Sequence, residues 1–302
     1  MSRPSPYAAH AAYVALARPA TGPGLILVGL LAFEATFYGT PWLLVLAGAP
    51  PEMLEAMYLG ATPVALALLL ATFALPALAL AHVVRRVHRR PARSLLGPPR
   101  LALRQFVKTG RLLLVLMLVL TVPTSGIDPD EVSRTRPVPL WLAILPLAIV
   151  ATLIQTGAEE LFFRGYLQQQ LGALSANPLI WMVLPSAAFG LGHAWNAVTL
   201  IDALYYVGWT FLFGCIAADI TARAGSLGPA LALHLVNNVF QLVFFGFDGA
   251  PMSGFALVLF HWDGGPVTYL AEGQPLYNAL YALLTVMMLL VLWLTARLAI
   301  RR

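Results

Sequence analysis

Residues 151–172 read Ala151-Thr-Leu-Ile-Gln-Thr-Gly-Ala-Glu159-Glu160-Leu-Phe-Phe-Arg164-Gly-Tyr-Leu-Gln-Gln-Gln-Leu-Gly172. Two adjacent carboxylates and a guanidinium stand inside an apolar run with no helix breaker between Ala151 and Ala158 other than Gly157. In a soluble protein such a run would be an amphipathic helix with a wet face. In lipid, each of these charges is expensive and marks a functional site. The choice between the two settings decides the fold class.

Composition settles it. The 302 residues are 60% hydrophobic and 10% charged, and the mean hydropathy is +0.80. An ordinary soluble domain carries about 25% charged residues, so this chain cannot cover its apolar surface with its own polar groups. The sequence predicts an all-α polytopic membrane protein. The net charge of +5 does not point to nucleic acid, because the basic residues collect in particular loops. Cys215, the sole cysteine, excludes an internal disulfide and a CxxC metal or redox site, and reads as a small apolar side chain.

Apolar runs of spanning length predict about eight transmembrane helices. They cover 24–48, 61–84 (bent, if anywhere, at Pro76), a third ending near Val122, a fourth from Leu140 toward Leu171, 178–194, 200–222, 228–247 and 276–300. A basic segment separates the second and third: Arg85, Arg86, Arg89, Arg90, Arg93, Arg100, Arg104, Lys108 and Arg111, with no acid among them. With the N-terminus in the cytoplasm, the inner side holds that segment together with Arg3, Arg18, Arg223, Arg297, Arg301 and Arg302. The outer side holds Arg134 and Arg136, alongside Glu52, Glu55, Asp128, Asp130, Glu131, Asp248, Asp263 and Glu272. The positive-inside bias therefore expects N-in and C-in. The basic segment itself reads as a solvated inner loop on anionic headgroups. Three regions follow: 1–139 with three helices, a core at 140–247, and an outer loop with the last helix at 248–302.

Spacing sorts the buried polar groups. Glu160 and Arg164 stand at i and i+4 and share a face, while Glu159 lies about 100° around the helix and is left without that partner. Phe189 and His193 repeat the i, i+4 spacing in Phe-Gly-Leu-Gly-His, and His234 and Asn238 repeat it in His-Leu-Val-Asn-Asn. Glu159 precedes the turn at 172–178 by about as many residues as His193 follows it, so at about 1.5 Å per residue the two reach similar depth. His234 enters from the turn near 223–228. A carboxylate, two imidazoles and an amide can thus meet in one cavity. Asp219 with Arg223 reads as a structural pair, Glu34 as a lone acid, and His82, His88 and His261 as interfacial.

The ordered trio EExxxR, FxxxH and HxxxN resembles the intramembrane proteases of the CAAX-protease and bacteriocin-processing (Abi) family, over about residues 140–245. The flanks FRGYLQQQL and GSLGPALALHLVNN fit as well. The resemblance implies an endopeptidase acting on a membrane-associated protein or peptide. Glu159 would activate water with His193, His234 and Asn238 would stabilise the oxyanion, and Glu160, Arg164 and Phe189 would give structural support. The inner turn that delivers His234 puts the site's opening toward the cytoplasm, the excess of arginine over the single Lys108 points to a prokaryotic plasma membrane, and the expected partners are lipid and substrate, with no nucleic acid. A His193, His234 and Glu159 set would suit a catalytic zinc; an amide beside His234 favours a mechanism with no cofactor. A non-catalytic scaffold or immunity protein is the alternative, and a transporter fits less well because the polar groups gather at one level.

Overall fold

The computed structural model describes residues 6–121, 127–265, 268, 270, 271 and 273–301. Arg3, Arg302 and Glu272, which enter the charge asymmetry above, lie outside these residues. Proline at the first turn, where a missing N–H is harmless, opens many of the helices: α2 (Pro23–Leu46), α3 (Pro51–Leu59), α4 (Pro63–Ala71), α11 (Gly228–Val243) and α12 (Pro275–Ile300). Short α1 (Ala8–Ala15) precedes them. α5 (Ala74–Arg86), α6 (Pro99–Thr121), α7 (Val138–Phe162), α8 (Gln168–Leu174), α9 (Leu184–Gly192) and α10 (Leu200–Ala224) complete the bundle.

Several columns depart from regular α geometry, among them the one ending in α9, which a π turn at Leu179–Val183 opens. α4 and α5 form one column broken at Thr72–Phe73, one turn before Pro76. Pro76 cannot donate to the carbonyl four residues earlier, and the Thr72 hydroxyl bonds back to the Leu69 carbonyl at 2.6 Å. α7 and α8 are joined by a wide π turn at Phe163–Leu167, so one column runs from Val138 to Leu174.

Among the described residues five columns are long and apolar enough to cross a membrane: Pro23–Leu46, Pro63–Arg86, Val138–Leu174, Leu200–Ala224 and Pro275–Ile300. The chain is an all-α polytopic membrane protein in this sense. The other three expected spans are helical but do not meet that standard. α6 carries Arg100, Arg104, Lys108 and Arg111 in its first half, α11 has 16 residues and holds His234 and both asparagines, and α9 has only 9 residues.

A small sheet, unmarked in the sequence, caps the end where α7 begins and α11 ends. Its order is β1 (Val132–Thr135), β3 (Val258–Phe260), β2 (Phe245–Phe247). β1 runs antiparallel to β3 and β2 parallel to it. Arg134 pairs with Asp248 at 2.9 Å, and Arg136 donates to the Gly254 and Ala256 carbonyls, so both arginines of this end are tied into the loops they brace. The Arg134 guanidinium beside Asp248 holds that carboxyl below the usual range.

The opposite end is knit by side chains of the basic segment and of α8. Gln168, Gln169 and Gln170 are all buried. Gln169 donates to the Ser94 carbonyl at 2.9 Å and accepts from Arg90 at 2.7 Å. His88, expected at an interface, is buried; its ring bonds the Ala20 carbonyl and the Tyr166 hydroxyl. The loop is therefore only partly solvated: Arg85, Arg86 and Arg93 are exposed, whereas His88, Ser94 and Leu95 are buried.

His10, on α1, is buried against Trp181 with ring centroids 4.1 Å apart. Burial pushes its pKa down from 6.5 to about 4. Its neutral form is the folded one, so it does not weaken the fold above about pH 6.5. As pH falls from there toward 4 the unfolded chain takes up a proton that the folded chain refuses, and stability drops by up to about 3 kcal/mol. Thermal unfolding in detergent should show a lower Tm at pH 5 than at pH 7.5, and His10→Phe should remove most of that difference. An undiminished difference in the variant would assign the acid sensitivity elsewhere.

Candidate functional site

The three motifs meet in one cavity of ≈ 450 Å³, whose lining includes Glu159, His193, His234 and Asn238. α7 contributes Gln155 and Glu159, α9 delivers Phe189 and ends so that His193 is its cap, and α11 supplies His234, Asn237 and Asn238. The break in the α4–α5 column places Thr72 and Phe73 in the opposite wall, with Phe37, Thr40 and Pro41 of α2. Close approach of α9 to α10 depends on Gly190: a Cβ there would lie 2.8 Å from the Val207 carbonyl oxygen. Gly192, the other glycine of that motif, has open space around it.

Glu160 and Arg164 pair as their spacing predicts. Arg164 Nη1 lies 2.7 Å from Glu160 Oε1, and both side chains are fully buried. The guanidinium also lies over the Phe189 ring, 4.6 Å from its centroid, a favourable cation–π placement. Gly214, which the sequence reading passed over, makes room for it; a Cβ at that position would stand 3.2 Å from Arg164 Nη2. The π turn contains Arg164 itself, and such wide turns are often found at functional sites.

The imidazoles are arranged differently from the expectation. The imidazole beside Glu159 is His234, with Nε2 3.4 Å from Glu159 Oε2, and among the described residues no bond joins Glu159 to His193. His234 Nδ1 donates to Glu160 Oε1 at 2.9 Å, so Glu160 does more than brace α7: it fixes the ring and tautomer of His234. Phe189 and Phe213 pack edge-on against the same ring, with centroids 6.0 and 5.1 Å away. His193 Nδ1 donates to the Phe189 carbonyl at 2.7 Å, which leaves its Nε2 for the cavity. The i, i+4 spacing of Phe189 and His193 thus serves a backbone bond as well as a ring contact of 4.5 Å.

Asn238 is oriented by an amide chain that the sequence did not flag. Its Nδ2 donates to Gln155 Oε1 at 3.2 Å, and its Oδ1 accepts from Asn237 at 3.1 Å. One N–H of Asn238 remains for the cavity. Gln155→Leu removes the acceptor and should lower turnover about tenfold, the worth of one hydrogen bond, with KM little changed. Gln155→Met fills a similar volume without an acceptor and should lose as much. Retained turnover in Gln155→Met would show that Gln155 acts only by packing. The signal was available in principle, since Gln155 precedes Glu159 by one helical turn on the same face.

Among the described residues no group of three or more His, Cys, Asp or Glu side chains is placed to hold an ion. His234 Nδ1 is held by Glu160 and His193 Nδ1 by a carbonyl, partners that metal-ligating imidazoles also use, and of the two only His234 stands beside Glu159.

The exposed part of the cavity wall shows where it opens. Its wall includes the exposed residues Tyr38, Tyr58, Asn196 and Met252. Tyr58 and Met252 lie where the Met252 amide bonds the Leu59 carbonyl, and Asn196 precedes α10. These connections stand at the sheet end, whereas Gly97 of the basic segment packs on Gly225, past the other end of α10. The mouth thus lies opposite the basic segment. A cytoplasmic opening and an N-in arrangement cannot both hold.

A polytopic helical protein with a buried carboxylate–imidazole cluster at the foot of a cavity is the class that fold and site define. Residues 139–240 match the family described as Type II CAAX prenyl endopeptidase Rce1-like, and all three motifs fall within that segment. A relative is the "Uncharacterized protein YyaK" of Bacillus subtilis (strain 168), 31% identical over 175 residues, which are 57% of this chain and 58% of the relative. The match therefore spans less than two thirds of the relative's length. No solved structure matches the chain.

Proposed function

We propose that the protein is an intramembrane endopeptidase that hydrolyses a peptide bond of a membrane-associated protein or peptide. The observation that carries this reading is the placement of Glu159, His193, His234 and Asn238 around one cavity, with a fixed hydrogen-bond partner behind His193, His234 and Asn238. Pre-set partners of this kind hold catalytic groups in their reacting geometry.

In this reading Glu159 takes a proton from water, and His193 Nε2, whose other nitrogen is held by the Phe189 carbonyl, accepts the second hydrogen bond of that water. The hydroxide equivalent attacks the scissile carbonyl, and Asn238 Nδ2 donates to the developing oxyanion. His234 Nε2 stands 3.4 Å from Glu159 Oε2, within reach of the proton that Glu159 has taken from water. His234 passes the proton to the leaving amine. No step runs through a metal.

Purified protein in detergent, assayed on a membrane peptide with and without a strong chelator, tests the reading. Cleavage that persists with chelator and disappears in Asn238→Ala supports it. Cleavage abolished by chelator and restored by zinc would replace the carboxylate-base mechanism with a metal-assisted one.

A further inference from the structure

The cavity is polarised along the bundle. Its foot is the Glu159–His234 pair, and its walls rise past Phe37, Tyr206 and Gln241 to Asn196 and Met252 at the sheet end. The charge distribution is polarised along the same axis. The end opposite the mouth carries the basic residues of 85–111 with Arg18, Arg223, Arg297 and Arg301, and Lys108 Nζ reaches the Arg301 carbonyl, which brings that part of α6 level with the end of α12. Among the described residues the mouth end has Arg134 and Arg136 alone, and both are engaged, one by Asp248 and the other by backbone carbonyls. Among those residues, the lysine and arginine side chains left free of such partners lie at the far end. In a prokaryotic membrane that is the cytoplasmic end, because the orienting bias counts lysine and arginine near the span ends.

Chemistry of the walls adds the second half. Among the described residues neither lysine nor arginine lines the cavity, and Glu159 is the one carboxylate in its wall. A free C-terminal carboxylate drawn into this space would find no cation, and a cationic side chain would be held only by the catalytic acid. The surroundings are aromatic and amide groups: Phe37, Tyr58, Phe73, Trp209, Asn237 and Gln241. They suit an uncharged internal segment, with the amides available to its backbone.

From this we infer that the substrate enters from the non-cytoplasmic face, as an uncharged apolar internal segment of an exported or membrane-inserted chain, and not as the charged terminus of a cytoplasmic protein. The inference rests on the endopeptidase reading for the word substrate, but the sidedness of the mouth stands by itself.

Single cysteines decide the side. On a Cys215→Ala background, Asn196→Cys and Met252→Cys mark the mouth, and Arg93→Cys, which is exposed on the basic segment, marks the far end. Intact cells are treated with a membrane-impermeant maleimide. The expected result is labelling of both mouth positions in intact cells, and labelling of Arg93→Cys only after permeabilisation. The reverse pattern overturns the proposal. A single-span reporter then carries an uncharged apolar segment next to its span, in either orientation. Cleavage with the segment on the non-cytoplasmic face, and none with the reporter inverted, is expected; cleavage of the inverted reporter alone overturns the substrate assignment. Should Glu159→Gln cleave as well as the wild type, the endopeptidase reading fails while the labelling result still fixes the side.

Discussion

Glu159→Gln should lower cleavage by about a thousandfold, within the range that a positioned general base contributes, while leaving the protein folded and inserted. The amide has the carboxylate's size and occupies the same nearly buried position, so packing is preserved. What it loses is the ability to accept a proton from water and to share one with His234, 3.4 Å away. Turnover on a membrane peptide, measured beside Tm in the same detergent, separates the two effects. Retained turnover at unchanged Tm would remove Glu159 from the mechanism, and a collapse of Tm would make it a structural residue.

Arg164→Met has the largest expected effect on stability. It leaves Glu160 fully buried without its cation at 2.7 Å, and breaking a buried pair in this way typically costs about 3–5 kcal/mol. The Phe189 ring loses its cation–π partner as well. Removing both charges is different. In Glu160→Gln with Arg164→Met no unpaired charge remains, so much of the lost stability should return. Activity should not return with it, because His234 Nδ1 then faces a neutral amide instead of a carboxylate at 2.9 Å. Tm and turnover of the two single variants and the double variant form a cycle that reads this directly. If the double variant recovered activity together with stability, Glu160 would be bracing α7 and nothing more.

Much of this site was legible in the sequence because helical spacing is a strong constraint. The i, i+4 rule set Glu160 against Arg164, and the count of residues on either side of the turn at 172–178 brought Glu159 and His193 to one cavity. The rule acts within a helix, though, and the partnerships that tune the site run between helices. Which imidazole meets Glu159 depends on the rotation of α11 against α7, and the wide turn at Phe163–Leu167 and the packing of Phe213 on His234 leave no periodic trace. Gln155 was passed over for a related reason: it reads as an ordinary polar residue until Asn238 is seen across from it.

The fold shows the same division. Apolar length marks five columns plainly, whereas the helices bearing the histidines are shorter or more polar because they carry the site. The three short strands pair across long stretches of chain and have too few residues to show alternation. The arginines mark one end of the bundle but not the direction of the cavity. That depends on which loops its walls reach, and Tyr58, Asn196 and Met252 are brought together only by folding.

The most direct test of a hydrolytic site is the origin of the oxygen in the product. Wild-type protein reconstituted with a pool of membrane peptides in heavy-oxygen water should generate new C-termini that carry the heavy isotope in their carboxylates, seen by mass spectrometry, and Glu159→Gln should generate none. Wild-type protein that yields no new C-termini from that pool, or yields them equally in the variant, would contradict an intramembrane peptidase built on Glu159.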